Sequence, residues 1–271
     1  PKLMDKLADA VSTHLRAQEA AGADLVQLFD SWVGNLSADE YRTHVMPWSR
    51  RIFKSLRGPA IHFGTQTSHL LELIRDSAKI CKYMDIPFQH SSKSVLQRMR
   101  RGKSGSAVRE AVSKLRQSLP GLTLRTSLIV GFPGESEADF AELLQFVEEA
   151  EFERLGVFKY SEEEGTAAAR MPGKVSEQDK ERRWQEVMDL QSTISRKKNE
   201  ALIGSIQRVM IDEVDLDSHK ATGRPQAHAP EVDGTVYVEG LAGETTVCGE
   251  MVDVRITGAL DYDLIGEIIN A

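Results

Sequence analysis

The chain has 271 residues, 41% of them hydrophobic and 28% charged, with a formal net charge of -7. That length can bury a core for one large domain or two smaller ones. An acidic balance argues against general nucleic-acid binding, and no apolar run approaches the roughly 18 residues of a membrane span, so a cytoplasmic protein with no membrane partner is expected.

In chain order, residues 1–22 read as an amphipathic helix with Leu3, Leu7, Ala10, Val11 and Leu15 on one side and Gly22 as its stop. Asp24 to Phe29 is a short apolar strand, and residues 30–35 are a loop. Ser37 and Glu40 form a capping box for a helix carrying Tyr41, Val45, Trp48, Ile52 and Phe53, with a kink or break at Pro47. Ala60 to Phe63 is the next strand and 65–74 the next helix. The order αβαβα is the grammar of parallel βα folds.

Tyr83 to Phe88 follows as a strand, then a basic helical region from Val95 to Gln117, whose ordinary reading is a solvated helix face. The stretch 123–131 holds the continuous apolar run Leu128-Ile129-Val130, which suits a strand buried on both faces. It leads through Gly131-Phe132-Pro133-Gly134-Glu135 into a helix capped by Ser136 and Asp139, with Phe140, Leu143, Leu144 and Val147 on one face. Spacing alone leaves this turn open to a purely steric role or to close approach of a ligand at the carboxyl end of the strand. Residues 156–160 form a fifth strand, 161–170 a polar loop, and Ser176 caps a long helix with Trp184, Val187, Leu190, Gln191 and Ile194 on its inner side. Beyond Ser205 the pattern changes to short β runs at 206–214, 235–238, 251–256 and 264–269, punctuated by glycines, which predicts a small antiparallel barrel. Cys81 and Cys248, the two cysteines of the chain, stand far apart and indicate neither a metal site nor a disulfide framework.

Several motifs recur in order: residues 83–92 (Tyr-Met-Asp-Ile-Pro-Phe-Gln-His-Ser-Ser), Val130 to Glu135, Val157 to Ser161, and Glu164-Gly165-Thr166. Together they resemble the C-terminal part of the radical S-adenosylmethionine (SAM) methylthiotransferases, and among them the ribosomal protein S12 (aspartate) methylthiotransferases, from about residue 73 onward. Gly223-Arg224, Ala229 to Gly234 and Asp261 to Glu267 resemble the TRAM domain that ends those enzymes. Arg16 to Asp24, Leu28 to Trp32, Trp48 to Phe53 and Ile61 to Thr65 are instead similar to a middle portion of uroporphyrinogen decarboxylase. The expected organisation is therefore 1–72, decarboxylase-like; 73–203, radical SAM-like; 204–271, TRAM-like. The expected fold class is α/β: a partial (βα) TIM-like barrel of about five parallel strands followed by a small antiparallel β-barrel.

The resemblance implies a SAM site in which Gln89 and Ser91 face the methionyl or ribose groups and Arg125 and Ser127 the ribose side. Gly131 and Phe132 would meet the adenine through backbone and stacking contacts, Val157 and Phe158 would line the adenine face, and Glu135 would order the turn. Ser31 matches a decarboxylase serine that hydrogen-bonds a substrate carboxylate. The methylthiotransferases hold 4Fe-4S clusters on a CxxxCxxC loop and on further cysteines, none of which is found in this sequence; thiolates are the ligands such clusters need. The expectations are no metal, weak or absent SAM binding, and no catalytic residue in this chain. The alternatives are a catalytically silent chimeric scaffold and a porphyrin binder acting through Ser31. Open sheet edges predict self-association. From Gly204 onward thirteen acids face four bases, Arg208, Lys220, Arg224 and Arg255, which predicts no RNA binding and favours a basic ribosomal protein as partner.

Overall fold

A computed structural model describes residues 2–23, 25–31, 33–58, 60–64, 71–76, 80–101, 105–215, 217–240 and 248–269. The chain divides into two compact units, Pro1–Ser77 and Ala78–Ala271.

In the first unit, α1 (Lys2–Ala20), β1 (Val26–Asp30), α2 (Ala38–His44), α3 (Met46–Lys54), β2 (Ala60–Gly64) and α4 (Leu71–Asp76) follow one another. β1 and β2 pair in parallel from Val26↔Ala60 to Asp30↔Gly64. Ala8 and Leu15 of α1 pack with Val26 and Ile52 into a small core. The Ser37–Glu40 capping box is formed, with Ser37 N–H donating to Glu40 Oε2 at 2.8 Å. The helix expected to run through Phe53 breaks at Val45, whose φ of -120° lies outside the helical range, and restarts with Pro47 in the first turn of α3, where a missing N–H costs nothing. Asp24, Trp32 and residues 65–70, expected to open a strand, close a motif and begin a helix, lie outside the described residues. The β1–β2 face opposite the helices carries Phe29, Ile61 and Phe63, all exposed, with the Phe29 and Phe63 rings 5.4 Å apart.

The second unit opens with β3 (Tyr83–Asp85), α5 (Lys93–Arg98), α6 (Gly105–Ser118), β4 (Thr123–Val130), α7 (Glu137–Ala150), β5 (Arg154–Lys159) and α8 (Glu177–Glu200). β3, β4 and β5 form a three-stranded parallel sheet. β3 is shorter than its predicted span because Pro87 lacks an amide and Gln89 adopts φ 71°; the chain nevertheless stays on β4, with Gln89 N–H donating to Ser127 O and Gln89 O accepting from Ile129 N–H. One face of the sheet is covered: Leu124, Leu128 and Val130 are wholly buried there, and Phe88, Phe146 and Phe152 form a tilted and edge-to-face aromatic cluster. The basic stretch forms two helices, α5 and α6. Its arginines are also not simply solvated: Arg109 pairs with Glu142 and Glu149, and Arg116 with Glu153 and the carbonyls that end α7. Within the described residues the parallel strands thus form two sheets, one per unit, where a single run of about five had been expected.

The remaining strands, β6 (Ile206–Asp215), β7 (Lys220–Pro225), β8 (Val236–Glu239), β9 (Met251–Ala259) and β10 (Leu264–Ile268), close into a barrel in the order β10-β8-β7-β6-β9. Val209, Ile211, Val236, Val254, Ile256 and Leu264 fill it. Two expectations are corrected. The barrel is mixed, since β8 and β10 run parallel, and it contains β7, a strand absent from the sequence reading.

Candidate functional site

The uncovered face of the β3–β5 sheet is built by strict alternation. Along β4, Thr126, Leu128 and Val130 are buried while Arg125, Ser127 and Ile129 are half-exposed, so the latter three share the open face. In register across β5, Arg125 faces Arg154, Ser127 faces Gly156 and Ile129 faces Phe158. Phe158 is 56% exposed, an unusual position for a large aromatic in the middle of a domain. Gly156 has no side chain to fill the floor between them: a Cβ there would lie 3.4 Å from the Phe158 ring and 3.9 Å from Arg125 Nη2. The result is a shallow bay with an aromatic wall on one side and a guanidinium on the other, suited to a flat group bearing a polar end.

The expected site residues divide on this geometry. Arg125, Ser127 and Phe158 come together on the open face. Gln89 sits at the carboxyl end, bridged to Leu128, with its backbone committed to the β4 ladder. Ser91 is fully buried, and its hydroxyl donates to Glu142 O of α7 at 3.2 Å. Val157 pairs with Leu128 on the covered face, and its carbonyl accepts the Trp184 indole N–H at 3.0 Å.

The glycine turn is tied down by the chain's own groups. The Glu135 carboxylate accepts the Gly131 and Phe132 amides, the latter at 3.0 Å, which bears out its expected ordering role. The Lys180 stem covers Gly131, where a Cβ would strike it, and the Gly173 carbonyl accepts the Gly134 N–H at 2.7 Å. Phe132 is buried edge-to-face against Tyr160 at 5.2 Å. The Phe132 ring, which the resemblance sets against adenine, is thus one half of an internal aromatic pair. In the first unit, Ser31 is exposed just past β1, near the Asp30–His62 pair at 3.5 Å; burial lowers the His62 pKa against the pull of Asp30.

Sequence reasoning missed the lower half of the open face, where the barrel's segment 228–235 meets the sheet. Tyr83 donates its hydroxyl to Asp233 Oδ2 at 2.7 Å, and Ala229 N–H donates to the same oxygen at 2.8 Å. Arg154 Nη2 contacts His228 Nε2, while His228 Nδ1 contacts Gly234 O. Burial, and then hydrogen bonding to Asp233, pushes the Tyr83 phenol well above its ordinary range. Burial, reinforced by the Arg154 charge, pushes His228 down to about 3.

Residues 203–269 match the TRAM domain family, and residues 1–121 match the uroporphyrinogen decarboxylase (URO-D) family, a match that runs past the expected boundary at 72. The ribosomal protein uS12 methylthiotransferase RimO of Pelobacter propionicus is 51% identical over 200 residues, covering 73% of this chain and 44% of that protein. RimO of Geobacter sulfurreducens is 48% identical over 205 residues, covering 75% of this chain and 45% of that protein. The chain thus spans less than half the length of these curated relatives. Among solved structures, coproporphyrinogen III oxidase (HemN) from Escherichia coli, described as a radical SAM enzyme, shares the fold with a TM-score of 0.52 at 15% identity, over 94% of this chain and 60% of that one. The larger part of this chain therefore resembles the C-terminal part of a ribosomal protein S12 methylthiotransferase, TRAM domain included, and its beginning resembles uroporphyrinogen decarboxylase.

Proposed function

We propose that the open β3–β5 face is the adenosine side of a SAM site, inherited from a methylthiotransferase that modifies an aspartate of ribosomal protein S12. On this reading the chain joins barrel-type (βα) segments of two families. The observation that carries it is Phe158, exposed beside the bare floor at Gly156 and in register with Ser127 and Arg125. Phe158 would stack the purine, and Ser127 and Arg125 would hold polar groups of the ribose side. SAM, when bound in that family, supplies the group for radical chemistry; this chain's own residues bind and orient its adenosine end.

An iron–sulfur cluster does not fit these residues. Such a cluster needs clustered thiolates, whereas Cys81 and Cys248 are both exposed and isolated. Among the described residues no group of three His, Cys, Asp or Glu side chains is placed to hold a metal ion. This donor set supports a chain that is catalytically silent by itself, a scaffold that retains half of a binding site. Calorimetry with SAM or adenosine is expected to give a Kd no tighter than the order of millimolar, roughly -4 kcal/mol, abolished by Phe158→Ala. Micromolar SAM affinity, or catalytic amounts of 5′-deoxyadenosine after incubation with iron, sulfide, SAM and dithionite, would refute the reading.

The barrel's charge favours a basic partner. Arg208 pairs with Asp253 at 3.1 Å, Lys220 with Glu239 at 3.3 Å, Arg255 with Glu267 at 3.8 Å, and Arg224 with Asp212. Each of the barrel's four cations is thus neutralised at home, while Glu213, Asp215 and Asp217 lie exposed near the β6–β7 turn. Phosphate binding needs the opposite arrangement. The chain is expected to leave RNA unbound in a filter assay at physiological salt and to bind a basic ribosomal protein with salt-sensitive affinity. Tight RNA binding would rule this out.

A further inference from the structure

Two corners of the Arg125 guanidinium face carboxylates from different parts of the second unit, and the third faces Gly156. Its Nη1 donates to Asp85 Oδ2 on β3 at 2.5 Å. Its Nε lies 3.8 Å from Asp233 Oδ1, a carboxylate supplied by the barrel segment. Its Nη2 lies over Gly156, on the Phe158 side of the open face. The two carboxylates are unlike. Asp85 is 44% exposed at its side chain, whereas Asp233 is 3% exposed and has its other oxygen fixed by the Tyr83 hydroxyl and the Ala229 amide. A buried carboxylate locked by two donors is a rigid reference point, and a guanidinium is a planar fork whose third corner follows once two are set. Arg154, the register partner of Arg125 on the same face, adds a like charge that would otherwise push Arg125 aside.

We infer that Asp233 of the barrel is a positioning residue for the ligand face, turning Arg125 so that Nη2 is presented over Gly156 to a hydroxyl or anionic oxygen of the ligand. The barrel segment 228–235 is then a wall of the site, and its role is to keep the guanidinium in place before the ligand arrives. This inference rests on the adenosine-site reading for the identity of the ligand, while the geometry of Arg125 does not.

The test uses the full chain and side-chain NMR of the Arg125 Nε–H, assigned by its loss in Arg125→Lys. Asp233→Asn keeps an acceptor for Tyr83 and Ala229 but removes the charge. It is expected to speed solvent exchange of the Arg125 Nε–H by about threefold or more, because the guanidinium loses the buried charge that holds it from 3.8 Å, while the Ala229 amide stays protected. Asp85→Asn, which keeps an acceptor for Nη1, should speed Nε exchange less than Asp233→Asn does. Equal Nε exchange in wild type and Asp233→Asn overturns the inference. In a parallel adenosine titration, Asp233→Asn and Arg125→Lys should weaken binding by a similar factor. Wild-type protein that ignores adenosine would overturn the ligand reading alone, since the exchange data judge the positioning of Arg125 by themselves. Should Asp233→Asn unprotect Ala229, Tyr83→Phe provides the second variant: it keeps the Asp233 charge and must retain slow Nε exchange, and fast exchange there would count against the proposal.

Discussion

Glu135→Ala is expected to destabilise the second unit by about 3–5 kcal/mol, the range for removing one member of a buried ion pair whose partners stay behind. The side chain is completely buried, and its two oxygens do separate work. One accepts both the Gly131 and the Phe132 amides. The other faces Arg183 Nη1 at 3.3 Å and His90 Nε2 at 3.9 Å, both on buried side chains. Removing the carboxylate strands two backbone donors and leaves the Arg183 charge to Glu137, whose side chain is 66% exposed. Unsatisfied buried donors cost about 1–3 kcal/mol each, so part of the loss is local to the turn. Denaturant unfolding should show a lower midpoint at unchanged slope, and the Gly131 and Phe132 amides should lose hydrogen-exchange protection. Glu137→Gln, at the exposed end of the same network, should cost less than about 1 kcal/mol. A loss under 1 kcal/mol for Glu135→Ala would mean that the Lys180 and Gly173 contacts alone hold the turn.

How far the sequence revealed this architecture depends on whether a feature is local. The Ser37 and Ser136 capping boxes rest on neighbours within four positions and appear where expected, and the helix break falls at Val45, two residues before Pro47. Arg125, Ser127 and Phe158 were named through the family resemblance, and the period-two alternation and parallel register of β4 and β5 bring the three to one face. The contacts that Ser91 and Phe132 make with Glu142 and Tyr160 were not legible, because no local pattern ties those residues together. β7 escaped for a different reason. Its Gly223 reads as turn punctuation, yet it is required inside the barrel, where a Cβ would run into the Met210 carbonyl of β6, and Pro225 falls at the strand's last pair. The barrel's contact with the sheet was the least visible feature, since Tyr83 and Asp233 are 150 positions apart and the segment around Asp233 has the composition of an ordinary turn.

That contact also predicts how the second unit responds to acid. His228 is 5% exposed and lies between two groups that fix its state. Arg154 can only donate, so His228 Nε2 must present a lone pair to it; Nδ1 then carries the proton and donates to Gly234 O. A second proton would set an N–H⁺ against a guanidinium in a buried place where Asp233, Tyr83, Glu153 and Asp263 are the other charged or titratable groups acting on Arg154. The ring is accordingly held neutral, with its pKa pushed down to about 3 by burial and by Arg154. In the unfolded chain the same ring titrates near its ordinary value of about 6.5. Below that pH the unfolded state takes up a proton that the folded state refuses, so the full contribution is present above pH 6.5 and falls by about 1.4 kcal/mol per unit as the pH drops toward 3. At pH 5, above most of the carboxylate range, the loss should reach about 2 kcal/mol. His228→Gln offers Arg154 an amide oxygen that does not titrate, so the difference in stability between wild type and this variant should be flat from pH 8 to 7 and then close steadily down to pH 5. Chemical denaturation at half-unit intervals, with the Ala229 amide as a local reporter of barrel docking, measures that slope. A parallel pH dependence in the two proteins would mean that His228 is protonated in place and that the barrel meets the sheet through a charged, solvated contact instead.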